Sequence, residues 1–367
     1  MRLLHTSAIS PTPDCYILDG CLCNGEAAVV LSTSQQTLRL YDTHTSAFLF
    51  DLVGHTGAIT DVVATPANPN GLYSAQADAG VLVSDLRQAK VVQCLTGMSR
   101  SGGGGNSIAI TPSARTLAVA TDGDLHLVDC RTWQPRSCIP QMHTDEITRV
   151  RFVNEEVICS AGEDQMINFI TTDPSVCEDD ALLQATACGE VVTKMTSLNE
   201  VELMAMVGSC ENGYVYPLDL EKTETRFPRP DFNTYLVDWC VLGGRLSLLL
   251  GHRDDDGNAG PLSLLDFETR TQDALRPMAH KELCRMAIGI GNRLITGGED
   301  GVLAFWARDG TNSDSGGELL RTSAPQGGLP TAHPTAPQGH VKKRPREPFT
   351  NDKCLSPLTG RGPGKSY

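Results

Sequence analysis

No apolar run in this chain of 367 residues approaches the roughly 20 residues that cross a bilayer. The longest candidate, Val241 to Leu250, is broken by Arg245. Cations are scarce as well. There are 30 Lys and Arg against 44 Asp and Glu, a net charge of -14. A body so acidic lacks the clustered positive charge that general nucleic-acid binding needs over phosphates. Long amphipathic patterns of helical period are nearly absent, which excludes a helical bundle. Met1 to Ser10 holds one Arg and too little apolar sequence for a secretory leader. The expectation is a soluble intracellular chain, cytoplasmic and/or nuclear, with no membrane partner.

Catalytic and cofactor motifs are missing too. Gly102 to Gly105 lacks the Lys-Ser/Thr that would complete a phosphate-binding loop, so it reads as a plain loop. Asp254-Asp255-Asp256-Gly257 lacks the ligand at the twelfth position of a calcium loop and reads as a solvated turn. Neither a nucleophile elbow nor a metal-ligand helix occurs. The expectation is no enzyme, no cofactor and no metal. The 13 cysteines are odd in number and irregularly spaced, unlike a secreted disulfide framework. Cys21-Leu22-Cys23 is the single close pair, and most others lie inside apolar runs. They read as small buried hydrophobes in a reducing compartment.

What is present is enough for a folded body: 40% apolar and 20% charged residues. It is also periodic. A short alternating strand ending in an aromatic or aliphatic residue, usually followed by Asp, recurs along the chain. Clear instances are Leu38 to Asp42, Val81 to Asp85, Leu125 to Asp129, Leu262 to Asp266 and Val302 to Ala307. Marker residues Tyr41, Ser84, Val128, Ile170, Leu218, Leu265 and Trp306 are separated by 43, 44, 42, 48, 47 and 41 positions. Seven such units fit the roughly 40–45 residues of a four-stranded propeller blade. Period-2 alternation within them predicts an all-β chain.

A second spacing lies inside the units. Ser74, Asp78 and Ser84 stand four and six apart, as do Ser160, Asp164 and Ile170, and Thr296, Asp300 and Trp306. His55, His143 and His280 precede these groups by 19, 17 and 16 residues. Together with Gly54-His55 and the strand-final aspartates, this pattern resembles the WD-repeat family. The resemblance covers about the first 308 residues and implies a seven-bladed propeller. Asp145 to Phe152, Ser160 to Asp164 and Leu294 to Trp306 narrow it to one branch of that family. Trp is missing at most unit ends, where Ser84 and Ile170 stand instead.

The spacing has a physical basis. A histidine between blades can bond the turn Asp and the hydroxyl, and the hydroxyl can bond the indole N–H. Each group is costly when buried alone, whereas the connected set stiffens the blade. His280, Thr296, Asp300 and Trp306 form the one complete set, and the His55 and His143 units carry three members each. A Ser-His-Asp combination also suits a hydrolase, but recurrence in three units favours a structural role, because a catalytic triad occurs once.

Ring closure in this family usually joins strands from both chain ends. Arg2 to Ser7 is the preferred closing strand, with Glu318 to Thr322 as the local alternative. After Arg308 the composition turns to Gly, Ser, Pro and Thr, so residues 309–367 read as a flexible tail beside a propeller of residues 1–308. Within the tail, Lys342, Lys343, Arg344 and Arg346 form a basic cluster like a nuclear-import signal, with at most weak contact to nucleic acid.

These features point to a non-catalytic interaction scaffold, an acidic ring docking protein partners with basic segments. A narrower alternative rests on Asp85-Leu86-Arg87 and Asp129-Cys130-Arg131. They resemble the Asp-x-Arg half of the box by which substrate receptors of cullin-RING ubiquitin ligases meet their adaptor, with Arg87 and Arg131 as the contacts. Ser84 and Val128 replace that box's Trp.

Overall fold

A computed structural model of the chain describes residues 1–308 apart from 11–13, 78–79, 99–105, 174, 177–179, 199–200 and 219–223. These residues lie in one compact unit, Met1–Ala332; a second, His333–Tyr367, is outside the described residues. The named elements are all strands, and they form seven antiparallel four-stranded sheets.

The chain opens with β1 (Arg2–Ala8). Blade one follows as β2 (Ile17–Cys23), β3 (Ala28–Thr33), β4 (Leu38–Asp42) and β5 (Phe48–Leu52). Blade two is β6 (Ile59–Thr65), β7 (Asn68–Gln76), β8 (Gly80–Asp85) and β9 (Lys90–Leu95). In blade three β10 (Ser107–Ile110), β11 (Thr116–Thr121), β12 (Asp124–Asp129) and β13 (Gln134–Ile139) pair in order. Blade four comprises β14 (Ile147–Phe152), β15 (Val157–Gly162), β16 (Met166–Thr171) and β17 (Leu182–Ala187). Blade five contains β18 (Val192–Leu198), β19 (Leu203–Gly208), β20 (Gly213–Pro217) and β21 (Thr225–Phe227). Blade six is built from β22 (Thr234–Leu242), β23 (Arg245–Arg253), β24 (Ala259–Asp266) and β25 (Gln272–Ala274). The last blade joins β26 (Cys284–Ile290), β27 (Arg293–Gly298) and β28 (Val302–Ala307) to β1.

Six of the seven periodic markers fall at the end of a third strand and Leu218 directly follows one, so the repeat in sequence is the blade in space. Closure uses the N-terminal segment: β1 runs antiparallel to β28, pairing Arg2 with Ala307 and Ala8 with Val302. That bond ladder ties both ends of residues 1–308 together. The Glu318 to Thr322 alternative and the basic tail cluster lie outside the described residues.

Burial follows the radial order of the strands. β3, Ala-Val-Val-Leu-Ser-Thr, is buried at every position, whereas the outer strand β13 is exposed at its first four. Both faces of an inner strand meet a neighbouring blade, which is why these strands are rich in Val, Ile, Leu and Ala. Each seam has its own apolar cluster. Blade one meets blade seven through Ile17, Leu31, Met286 and Phe305, for example, and blade six meets blade seven through Leu249, Leu264, Leu294 and Trp306. The first strands contact one another around the whole ring, with β2 against both β26 and β6. They form the wall of a central channel.

Candidate functional site

Hydrogen-bonded sets tie the strands within individual blades. In blade seven His280 Nε2 lies 2.8 Å from Thr296 Oγ1 and Nδ1 lies 3.2 Å from Asp300 Oδ1. The Trp306 indole N–H donates to the same Thr296 oxygen at 2.9 Å. All four side chains are within hydrogen-bond reach of the set. Asp300 also accepts from the backbone N–H groups of Lys281 and Val302. Burial alone would push its carboxyl up; the His280 bond, with these N–H groups, holds it below the usual carboxylate range.

Blade four repeats the arrangement, with His143 Nε2 2.8 Å from Ser160 Oγ and Nδ1 2.9 Å from Asp164 Oδ1. Ile170, in the indole position, is fully buried. In blade two His55 Nε2 is 2.9 Å from Ser74 Oγ, while Asp78 lies outside the described residues. Burial depresses the His55 pKa to about 4, so this imidazole is neutral. Ser84, at the indole position of that blade, is buried.

Sequence reasoning missed the counterpart in blade five. Buried Glu190 accepts from the Asn212 amide at 2.7 Å, from the Tyr214 hydroxyl and from the Cys210 backbone N–H. Its one signal is an acid just before an inner strand, in Cys188-Gly189-Glu190.

A second set of charges faces the channel. In six of the seven first strands the register shifts near the start, and the residue just beyond the shift is Asp19, Asp61, Arg149, Lys194, Asp238 or Met286. A bulge of this kind re-aims the next side chain, and here it places five charged groups in one layer. Asp19, Asp61 and Asp238 share a local device: each carboxylate Oδ1 accepts the backbone N–H of the following residue at 2.8, 2.9 and 2.8 Å.

Pairs in this layer cross the ring. Arg151 on blade four makes a two-pronged contact to Asp61 on blade two, at 2.8 and 3.0 Å. Ser107 Oγ and the Ile108 N–H also donate to Asp61. Burial works against its charge, but the guanidinium outweighs it and the pKa is lowered. Lys194 on blade five lies 2.9 Å from Asp19 on blade one and 3.9 Å from Asp238 on blade six. One ammonium therefore serves two carboxylates. Burial pushes the Asp238 pKa up to about 7; Lys194 opposes the rise and Asp19 adds to it.

Asp19, Arg149, Arg151, Lys194 and Asp238 form the floor of a cavity of about 850 Å³. Its wall runs from the ionic layer to the turns between first and second strands, reaching Glu26, Gly243, Gly244 and Gly291. Partly exposed Leu22, Ile110, Val241, Ile288 and Ile290 line the sides. The result is a bowl with apolar walls, an acid near its mouth and a charged floor. It combines apolar contact area with a few fixed polar groups, the composition of a recognition site. Its two cysteines, Cys21 and Cys240, are held as thiols by burial, which raises both pKa values well above the ordinary value.

Arg87 and Arg131 sit on the turns between third and fourth strands, at the same end as the mouth of the bowl. Each folds back on its own strand-final acid: Arg87 on Asp85 at 2.7 Å and Arg131 on Asp129 at 2.9 Å. Their side chains stay 65% and 77% exposed, so an approaching protein meets an Asp–Arg pair rather than a lone cation. Lys342, Lys343, Arg344 and Arg346 are outside the described residues. Asp254 closes its own turn by accepting from the Asp256 and Asn258 N–H groups. The reading of cysteines as buried small residues fits Cys15, Cys23, Cys159, Cys188, Cys240 and Cys284, but Cys94 and Cys210 are exposed on the surface.

Seven four-stranded blades, closed by the first strand and carrying His–Ser/Thr–Asp sets within blades, form a seven-bladed β-propeller. No family model matches the chain. Over 322 residues it is 23% identical to WD repeat-containing protein GTS1 of Arabidopsis thaliana, covering 77% of this chain and 78% of that protein. The similarity and the seven blades together support the WD-repeat family, whose propeller architecture suits protein interaction. No helix among the described residues is long and apolar enough to cross a membrane.

Proposed function

We propose that the protein is a non-catalytic scaffold that takes a basic segment of a protein partner into the bowl at the first-to-second-strand end of the channel. The observation that carries this reading is the shared ammonium of Lys194. Asp19 and Asp238 have one cation between them, and burial, with the Asp19 charge adding to it and Lys194 opposing it, raises the Asp238 pKa. A Lys or Arg from a partner would supply the missing charge, Glu26 would attract it at the mouth, and Ile288 and Ile290 would cover its aliphatic stem. Within the WD-repeat family, Asp145 to Phe152, Ser160 to Asp164 and Leu294 to Trp306 resemble WD repeat-containing protein 89. The tail cluster would add nuclear import to a cytoplasmic protein.

The test is affinity enrichment with the full chain beside D19N/D238N, with thermal unfolding as a folding control. The expected result is partners bearing Lys- or Arg-rich segments, released by salt and lost in the variant. Capture indifferent to salt and to both substitutions would refute the reading.

A second reading, a substrate receptor of a cullin-RING ligase, draws on the exposure of Arg87 and Arg131 at one end of consecutive blades. It requires recovery of adaptor and cullin by the parent and their loss in R87A/R131A. Recovery of neither would exclude it.

A further inference from the structure

We propose that Asp124, His126 and Cys138 in blade three form a zinc site. The Asp carboxylate, imidazole and thiol each offer a ligand atom, and the three atoms lie within 4.8 Å of one another. The strand geometry accounts for the convergence. Asp124 and His126 are two residues apart on β12 and share a face, and His126 is directly opposite Cys138 on β13. The backbone N–H of Gln141 donates to Asp124 Oδ1 at 2.9 Å, which fixes the rotation of that carboxylate.

The face is the one toward blade two, because Val128, next in the alternation, packs with Val63, Tyr73 and Val81. Asp124 is buried there at 5% exposure, while His126 and Cys138 are partly accessible, so an ion has both an anchor and a way in. One oxygen, one nitrogen and one sulfur suit a borderline-soft ion such as Zn²⁺, and three protein ligands leave a fourth position for water. On binding, the Cys138 thiol gives up its proton to solvent, so affinity rises with pH. The residues have no motif spacing in sequence, because the set is made by cross-strand register.

The experiment uses the reduced full chain stripped with chelator and titrated with Co²⁺ as a spectroscopic probe, then with Zn²⁺. One equivalent of Co²⁺ should produce a thiolate-to-metal absorption band, and Zn²⁺ should abolish it. C138S should lose the band, and H126A should weaken Co²⁺ binding more than about tenfold. C94S, at an exposed cysteine on blade two, should behave as the parent. Thermal unfolding of the metal-free variants near the parent's separates ligand loss from misfolding. Absence of the band in the parent, or its persistence in a folded C138S, would overturn the proposal.

Discussion

Lys194 Nζ meets Asp19 Oδ2 at 2.9 Å across the greatest separation a ring of seven blades allows, blade five to blade one. Neighbouring blades are already joined by apolar seams. This pair and the Arg151–Asp61 pair add ties that pass over the channel and skip intervening blades.

Lys194→Met removes the ammonium and leaves Asp19 and Asp238 facing one another. The Lys194 and Asp19 side chains are 18% and 25% exposed overall, although the Lys194 Nζ itself is buried, so the cost should be about 1–3 kcal/mol, short of that of a wholly buried pair. Urea unfolding of K194M, D19N and the double variant checks it. The double variant should lose clearly less than the sum of the single losses, and strict additivity would remove the pair from the account.

Asp238 gives the stability a pH dependence of definite sign. Its native pKa of about 7 exceeds the ordinary 3.8, so between these values the native state holds a proton the unfolded chain has lost. Its contribution is full below about 4 and disappears as pH rises through about 7. His55 acts oppositely, because its native pKa of about 4 lies below 6.5 and its contribution is lost on acidification. The difference between parent and D238N isolates the first effect. It should favour the parent progressively more from pH 7 to pH 5, on the order of a few kcal/mol; a flat difference would contradict the assignment.

Asp300→Ala strips acceptors from His280 and from the Lys281 and Val302 N–H groups. Urea unfolding should show a loss of about 1–3 kcal/mol, with the slope of the transition unchanged. An unaltered midpoint would mean that the set contributes nothing to the fold.

Gly289→Ala tests how closely the inner strands approach. A Cβ at Gly289 would lie 2.0 Å from the Val241 carbonyl oxygen of the neighbouring blade, a fixed backbone atom. The ring must open locally to accept it, at roughly 1–3 kcal/mol. Thermal unfolding equal to the parent's would show slack in the channel wall.

The fold was legible in the sequence because each blade ends its third strand at the same point, so Tyr41 through Trp306 mark a spatial repeat. The His143 and His280 sets were legible for a related reason: their members come from one unit and keep one spacing. The channel floor was not. Lys194 and Asp19 belong to different units, and only the ring brings them together. The available signal was a charge at the third position of an otherwise apolar first strand, as in Ile17-Leu18-Asp19 and Ile59-Thr60-Asp61. Glu190 escaped notice because an acid there replaces the recurring His and bonds a Tyr and an Asn in place of Ser and Asp.

The central claim is that a basic partner segment enters the bowl, and site-specific photo-crosslinking tests it most directly. A photoactivatable residue at Ile290, in the bowl wall, is compared with one at Val53, which is 71% exposed in a connection at the opposite end. The account predicts covalent capture of Lys- or Arg-rich peptides from Ile290, suppressed by salt and by D19N/D238N, with little from Val53. Equal capture from Val53, or capture from Ile290 that ignores both salt and the two substitutions, would contradict it.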